Sequence, residues 1–475
     1  MADQTSVVLR GGTVLTLDAQ HTVLRDADVL VTGDRVAAVG PDLAVPEGTR
    51  EIDARDGIVM PGMIDTHRHM WQTAMRGYGA DWTLTQYFVW YYLESGKHFR
   101  PQDVRAGNLL AAAEALDAGV TACVDWSHGL QTVGHAEAAV DALHTIPGRY
   151  VLAYGNIQQA PWEWSTSADF RAFARRMLDD DRLGFQMAFD VTGDPAFPEK
   201  AAYEVARELG VPVTTHAGVW GATNDDGIRL AHEAGFLDAS SIFVHAATLS
   251  ADSYHRIAAT GGSVSVSTES EQSAGQGYPP TWALRAHDIP VSLSMDTSVW
   301  WSGDLFSAMR TTLGADRSRE HFEAHQKGDT VTHCSLRAEH VVDWATRGGA
   351  AALGRSADLG SLEPGKKADV VLLKNDASPV SFPLLNPYGH VAFQAQRGDV
   401  HTVLVDGRVV KDEHRLVGVD LAAIRREVEE TVAYLRGTLG EEAWAKGMNP
   451  DVPATKVLDN PYTYTDYASG ATHGG

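Results

Sequence analysis

Apolar positions along this chain follow two different rhythms. Over the first 58 residues they alternate with polar ones in short runs, SVVLRGGTVLTLD, ADVLVTGDRVAAVG and TREIDARDGIVMPG, broken by the turn signals RGG, TGD and RDG. A period of two punctuated by turn residues predicts a small antiparallel sheet. The same texture returns near the end in GKKADVVLLKND and GDVHTVLVDGRVVKD. Residues 1–58 and 360–415 are therefore expected to pair into one small β-sandwich, with the middle of the chain inserted between them.

From residue 59 to 359 the rhythm changes. Short apolar runs (GVTACVDWSHG, RYVLAYGN, GFQMAFDVTG, VPVTTHAG, SIFVHAATL, GGSVSVSTES and IPVSLSMDTS) alternate with helix formers such as DVRAGNLLAAAEALDAG and PEKAAYEVARELG. Repeated strand–helix units of this kind predict parallel strands with crossover helices, and their number suits an α/β fold of the (β/α)8 TIM-barrel type. Residues 416–475 read as a C-terminal helix, VDLAAIRREVEETVAYLRGTLGEEAWAKG, and a peripheral tail.

Composition narrows the function classes. The chain has 475 residues and a formal net charge of −23. Such a surface repels phosphate, which argues against nucleic-acid or anionic-membrane partners and leaves a small-molecule substrate. Only Cys123 and Cys334 are present, so no disulfide framework is expected and a reducing cytoplasm is the default. The N-terminal MADQTSVVLRGG lacks a basic-then-apolar leader pattern. No apolar run approaches the ~20 residues that span a bilayer.

The chemistry begins at MPGMIDTHRHMW. On a strand, His67 and His69 point the same way, about 6.6 Å apart along its axis. His216, His245 and Asp296 each fall at the end of a separate predicted strand, and in a TIM barrel those ends share one rim. Imidazole and carboxylate donors converging there suit zinc or ferrous iron, with one position open to water.

The stretch PGMIDTHRHMWQTAMRG resembles the corresponding motif of the amidohydrolase superfamily, in the branch of cytosine deaminase, S-adenosylhomocysteine deaminase and the triazine chlorohydrolases. The likeness runs through LEPGKKADVVLLKND and VLVDGRVV and covers nearly the whole chain. It implies one divalent ion, zinc ahead of iron, held by His67, His69, His216 and Asp296, with His245 beside its water or completing the coordination. It also implies a homo-oligomer. Activated water would attack an electrophilic carbon, Asp296 would take the proton, and His245 would polarise the substrate.

Two segments depart from that pattern. The branch places a glutamate three residues after the His216 position, where this chain has Val219. In VSVSTESEQ the usual histidine is Val266 and the usual asparagine is Glu271. A missing proton shuttle costs ~10²–10⁴ in rate, and expelling ammonia needs that proton where expelling chloride does not. Glu271 is the expected replacement acid. The reaction is then deamination, amide hydrolysis or C–halide hydrolysis, with a metal-dependent lyase or decarboxylase as the alternative. Indoles close to the ligand positions in sequence point to a cyclic, aromatic substrate. Expected contacts are Gln72, Trp71, Trp82, Trp126, His128, Trp220, Trp300 and Trp301.

Overall fold

The computed structural model describes residues 6–219 and 222–453, apart from the side chains of 222–224. Two sheets organise it. The first holds β1 (Ser6–Leu15), β2 (Val23–Thr32), β3 (Arg35–Gly40), β4 (Arg50–Asp53) and β5 (Ile58–Pro61) from the start of the chain. The second is an eight-stranded parallel sheet of β6 (Met63–Arg68), β7 (Val120–Ser127), β8 (Arg149–Tyr154), β9 (Leu183–Ala188), β10 (Val213–Ala217), β11 (Ile242–His245), β12 (Ser263–Val266) and β13 (Val291–Leu293). The chain then returns to the first sheet with β14 (Val370–Leu373), β15 (Val400–Val405), β16 (Arg408–Asp412) and β17 (Arg415–Leu416).

The two ends of the chain meet where β14 runs antiparallel to β5, pairing Val370 with Pro61 and Leu373 with Ile58. Alternation divides β14 between two cores. Val370 and Leu372 join Val7, Leu9, Val29 and Val59 inside the sandwich, while Val371 and Leu373 face the barrel's core. Burying both faces of a strand in this way explains its unbroken apolar run.

The parallel strands close into a TIM barrel. The Asp296 N–H donates to the His67 carbonyl (3.1 Å) and the His69 N–H to the Asp296 carbonyl (2.8 Å), stitching the end of the last strand onto the first. Part of the interior is a hydroxyl ladder. Thr66 Oγ1 lies 2.7 Å from Ser265 Oγ and 2.8 Å from Ser292 Oγ, and Ser294 Oγ lies 2.8 Å from Ser265 Oγ and 2.6 Å from Ser267 Oγ. The alternation in GGSVSVSTES therefore separates barrel interior from helix layer, with Val264 and Val266 packed outward.

The helices Leu421–Leu439 and Glu441–Gly447 follow the first sheet. The second, with the residues after it, packs on the loop after β6. Trp82 Nε1 donates to the Gly447 carbonyl (2.9 Å), and Gln86 Nε2 reaches Asn449 Oδ1 (2.8 Å) and the Pro450 carbonyl (2.9 Å). The expected peripheral tail is thus firmly seated as far as Pro450; residues 454–475 lie outside the described part. No described helix is long and apolar enough to cross a membrane.

Candidate metal centre and substrate cavity

Five side chains meet at the C-terminal rim of the barrel. The His67 ring centroid lies 4.6 Å from that of His69, 5.0 Å from His216 and 5.6 Å from His245. Asp296 Oδ1 is 3.4 Å from His67 Nε2 and 3.3 Å from His69 Nε2. All five residues come from strand ends, as the sequence pattern anticipates. Two of those ends have left-handed backbones, at His245 (φ 68°) and Asp296 (φ 66°). Non-glycine residues at positive φ are strained, and such strain concentrates at functional sites.

Three of the four imidazoles have a polar group behind the ring. His69 Nδ1 lies 2.8 Å from the Trp126 carbonyl, which leaves Nε2 to face Asp296. His216 Nδ1 lies 2.9 Å from Asp190 Oδ1, and that same oxygen accepts the His216 backbone N–H (3.0 Å). His245 Nδ1 is 3.5 Å from Glu271 Oε1. Orientation of this kind is what metal-ligating histidines require.

Electrostatics match a cation-binding cluster. Burial drives the His67 imidazole well below its ordinary pKa, and drives His69 down to about 4 against the opposing pull of Asp296. Burial alone would raise the Asp296 carboxyl, yet His67, His69 and His245 hold it well below the usual carboxylate range. His67 and His69 are therefore neutral beside an ionised Asp296, whereas Asp190 raises His216 above its ordinary value against the effect of burial. Neither ring nitrogen of His67 has a hydrogen-bond partner although both are buried, a costly state unless something else satisfies them. Donor atoms of His67, His216 and His245, and of His67, His69 and Asp296, form two groups each lying within 4.8 Å. The donor set fits a divalent cation.

Above the cluster opens a cavity of about 360 Å³. Trp126, His128, His69, His216, His245 and Asp296 all line it. Trp126 tilts over His216 (centroids 4.2 Å), and His128 stacks on His69 (4.0 Å). Val219 also lines the cavity.

Gln72, Trp71, Trp82, Trp300 and Trp301 stand behind the wall instead of against a ligand. Trp71 Nε1 donates to His128 Nδ1 (3.0 Å). Gln72 bonds the Tyr87 hydroxyl (2.7 Å) and accepts from Thr297 Oγ1 (2.8 Å). Trp82 spends its N–H on Gly447, while Trp300 Nε1 donates to the Trp82 carbonyl (3.2 Å) and stacks on Trp301. Except for the Trp301 N–H, which is buried without a hydrogen-bond partner, their polar groups are used inside the protein, and their rings fill the space between loops. Trp220 lies outside the described residues.

Glu271 is fully buried and does not line the cavity. Its Oε1 accepts the Ser267 N–H (2.8 Å), and burial raises its pKa against the opposing contact with His245. It supports His245 from behind.

Sequence reasoning assigned no site role to three contributors. Tyr87 and Tyr92 line the cavity from within a π-helix, Tyr87–Ser95, where the dense cluster YFVWYY was the available signal. Asp190 lines it from just beyond β9. An acid closing the strand-like run GFQMAFD occupies the same kind of position as Asp296, and that signal went unused.

A model of the amidohydrolase family matches residues 58–410. The chain is 29% identical to a 5-methylthioadenosine/S-adenosylhomocysteine deaminase of Symbiobacterium thermophilum, over 90% of this chain and 99% of that protein. A deaminase of the same description from Halobacterium salinarum is also 29% identical, over 91% and 98%. Among solved structures, a zinc-bound adenosine deaminase from Xanthomonas campestris superposes with a TM-score of 0.78 at 22% identity, covering 91% of this chain and 99% of that one. The atrazine chlorohydrolase of Arthrobacter aurescens TC1 complexed with zinc does so with a TM-score of 0.77 at 22% identity, covering 90% and 100%. The structural likenesses establish a shared fold, and the family match over most of the sequence establishes membership: this chain is a hydrolase of the amidohydrolase family.

Proposed function

We propose that the protein hydrolyses a C–N bond of a cyclic, aromatic small molecule, releasing the nitrogen as an amine or ammonia. The observation that carries this reading is the cluster of four imidazoles and one carboxylate, with unpartnered ring nitrogens, at the floor of an aromatic cavity. His67, His69, His216 and Asp296 would hold one divalent ion, zinc ahead of iron, and His245 would stand beside it. Such an ion supplies a water acidic enough to lose its proton near neutral pH.

The protein's own groups do the rest. Asp296, ionised in its buried setting, accepts the proton released as the nucleophile forms. His245 faces the reacting carbon's substituent and stabilises the charge that develops there, its ring fixed by Glu271. Trp126 and Tyr92 present flat apolar faces that align a ring over the cluster and exclude bulk water. With Val219 where relatives of this branch place an acid, leaving-group protonation falls to another residue.

That substitution favours a second reading, displacement of chloride, which needs no proton on the leaving group. Matched heteroarenes carrying an amino or a chloro group, presented to the zinc-loaded protein in ¹⁸O-labelled water, separate the outcomes. Ammonia release with label in the product supports the first reading and chloride release the second. Turnover without label would overturn both.

A further inference from the structure

Asp190 is bound to His216 through one oxygen only. Both of its hydrogen bonds, to the His216 ring and to the His216 backbone, use Oδ1. The carboxylate nevertheless lines the cavity and keeps 55% of its side-chain surface exposed. Orienting a histidine requires one acceptor atom; neither of these hydrogen bonds uses the second oxygen of this cavity-lining carboxylate.

Apart from Asp190, Asp296 and the histidines, the described residues that line the cavity are uncharged. Tyr87, Tyr92, Trp126 and Trp164 supply aromatic faces, and Asn156 and Gln159 supply neutral polar ends. No lysine or arginine lines the cavity among the described residues. Aromatic faces attract cations through their quadrupoles. An anion placed beside Asp190 would lose part of its hydration, find no lysine or arginine and meet the carboxylate charge at close range.

We propose that Asp190 sets the charge class of the substrate: its free oxygen takes an N–H donor of a neutral or cationic nitrogenous ring, and its charge turns away anionic analogues. This rests on reading the cavity as a substrate site, and makes Asp190 a specificity residue as well as a support for His216. A charged hydrogen bond is worth roughly tenfold or more in affinity.

The test uses the metal-loaded protein and three aromatic probes of similar shape: benzamidinium, benzamide and benzenesulfonate, the last chosen because sulfonates coordinate metals weakly. Binding is read by tryptophan fluorescence, with metal content measured on every preparation. The native protein should bind benzamidinium and benzamide at least about tenfold more tightly than benzenesulfonate. Asp190→Asn keeps an acceptor for His216 and should retain the metal while that preference collapses toward unity. Asp190→Glu keeps the charge and should keep the preference. The proposal is overturned if the sulfonate binds the native protein as well as the others, if none binds, or if metal-replete Asp190→Asn discriminates like the native protein. Because turnover is not read, failure of the hydrolase reading would appear separately, as metal-loaded protein that shows the preference but forms no product.

Discussion

Glu271 stands 3.5 Å from Nδ1 of His245 and is completely buried behind it. The carboxylate therefore acts on the site through the imidazole, by fixing which face and which nitrogen the ring presents. Replacing such supporting groups costs about 10–100-fold in activity or metal affinity. Glu271→Gln should lower kcat by that order while leaving KM nearly unchanged, and the metal content of the variant, measured alongside, separates the two effects. An unchanged kcat would remove Glu271 from the site.

Metal removal offers the next test. A chelator should abolish turnover and lower Tm, because the ion satisfies imidazole nitrogens that otherwise have no partner in a buried site. Adding back zinc should restore both. Asp296→Asn should bind metal more weakly and lose turnover by orders of magnitude with its circular dichroism unchanged; near-native activity would rule Asp296 out as the base.

Glu114 is an electrostatic hub outside the cavity. It contacts Arg68 Nη2 (2.5 Å), Arg76 Nη2 (3.1 Å) and Arg397 Nη1 (3.2 Å), and Arg68 is fully buried. Removing the carboxylate leaves a buried guanidinium without its main partner, at a cost of about 3–5 kcal/mol. Glu114→Ala should therefore unfold at markedly lower urea concentration than the native protein. A midpoint within error of native would show that Asp65, 3.6 Å from Arg68, suffices alone.

Asp125 gives a pH dependence with a definite sign. Burial lifts its carboxyl from an ordinary 3.8 to about 7, against hydrogen bonds from Asn108 and the Met70 backbone. The folded state keeps this proton over a range in which the unfolded chain has released it. Its contribution to stability is full below about pH 4 and declines as the pH rises toward 7, by on the order of 1.4 kcal/mol for each pH step of one across that interval. Asp125→Asn should flatten that decline, so its Tm should fall less than the native protein's between pH 5 and pH 8. A parallel pair of pH profiles would contradict this.

The C-terminal helix supports a cavity wall. Tyr78 donates its hydroxyl to the Trp444 carbonyl (2.5 Å) and Trp82 its N–H to Gly447 (2.9 Å), in the loop that continues to Leu84 and Tyr87 on the wall. Truncation after Leu439 should raise KM several-fold more than it lowers kcat, as expected when the residues lost position the substrate and do not react with it. Equal losses in both parameters would place the helix elsewhere in the mechanism.

How much of this could be read along the chain differs by feature. The barrel, the returning strands and the cluster of His67, His69, His216, His245 and Asp296 were legible, because strand periodicity and strand-end position are local properties of the sequence. The roles of the tryptophans were not. Trp71 and Trp300 sit near ligand positions in sequence, yet their rings turn behind the wall because His128 and the Trp82 carbonyl offer partners to their indole N–H groups. Asp190 and Glu271 show the same limit in opposite directions. Both are acids just beyond barrel strands, but one faces the cavity half-exposed and the other is sealed behind His245. Which side of a rim residue meets solvent depends on neighbouring loops that are distant in sequence, so only the closed barrel with its loops packed over it could decide.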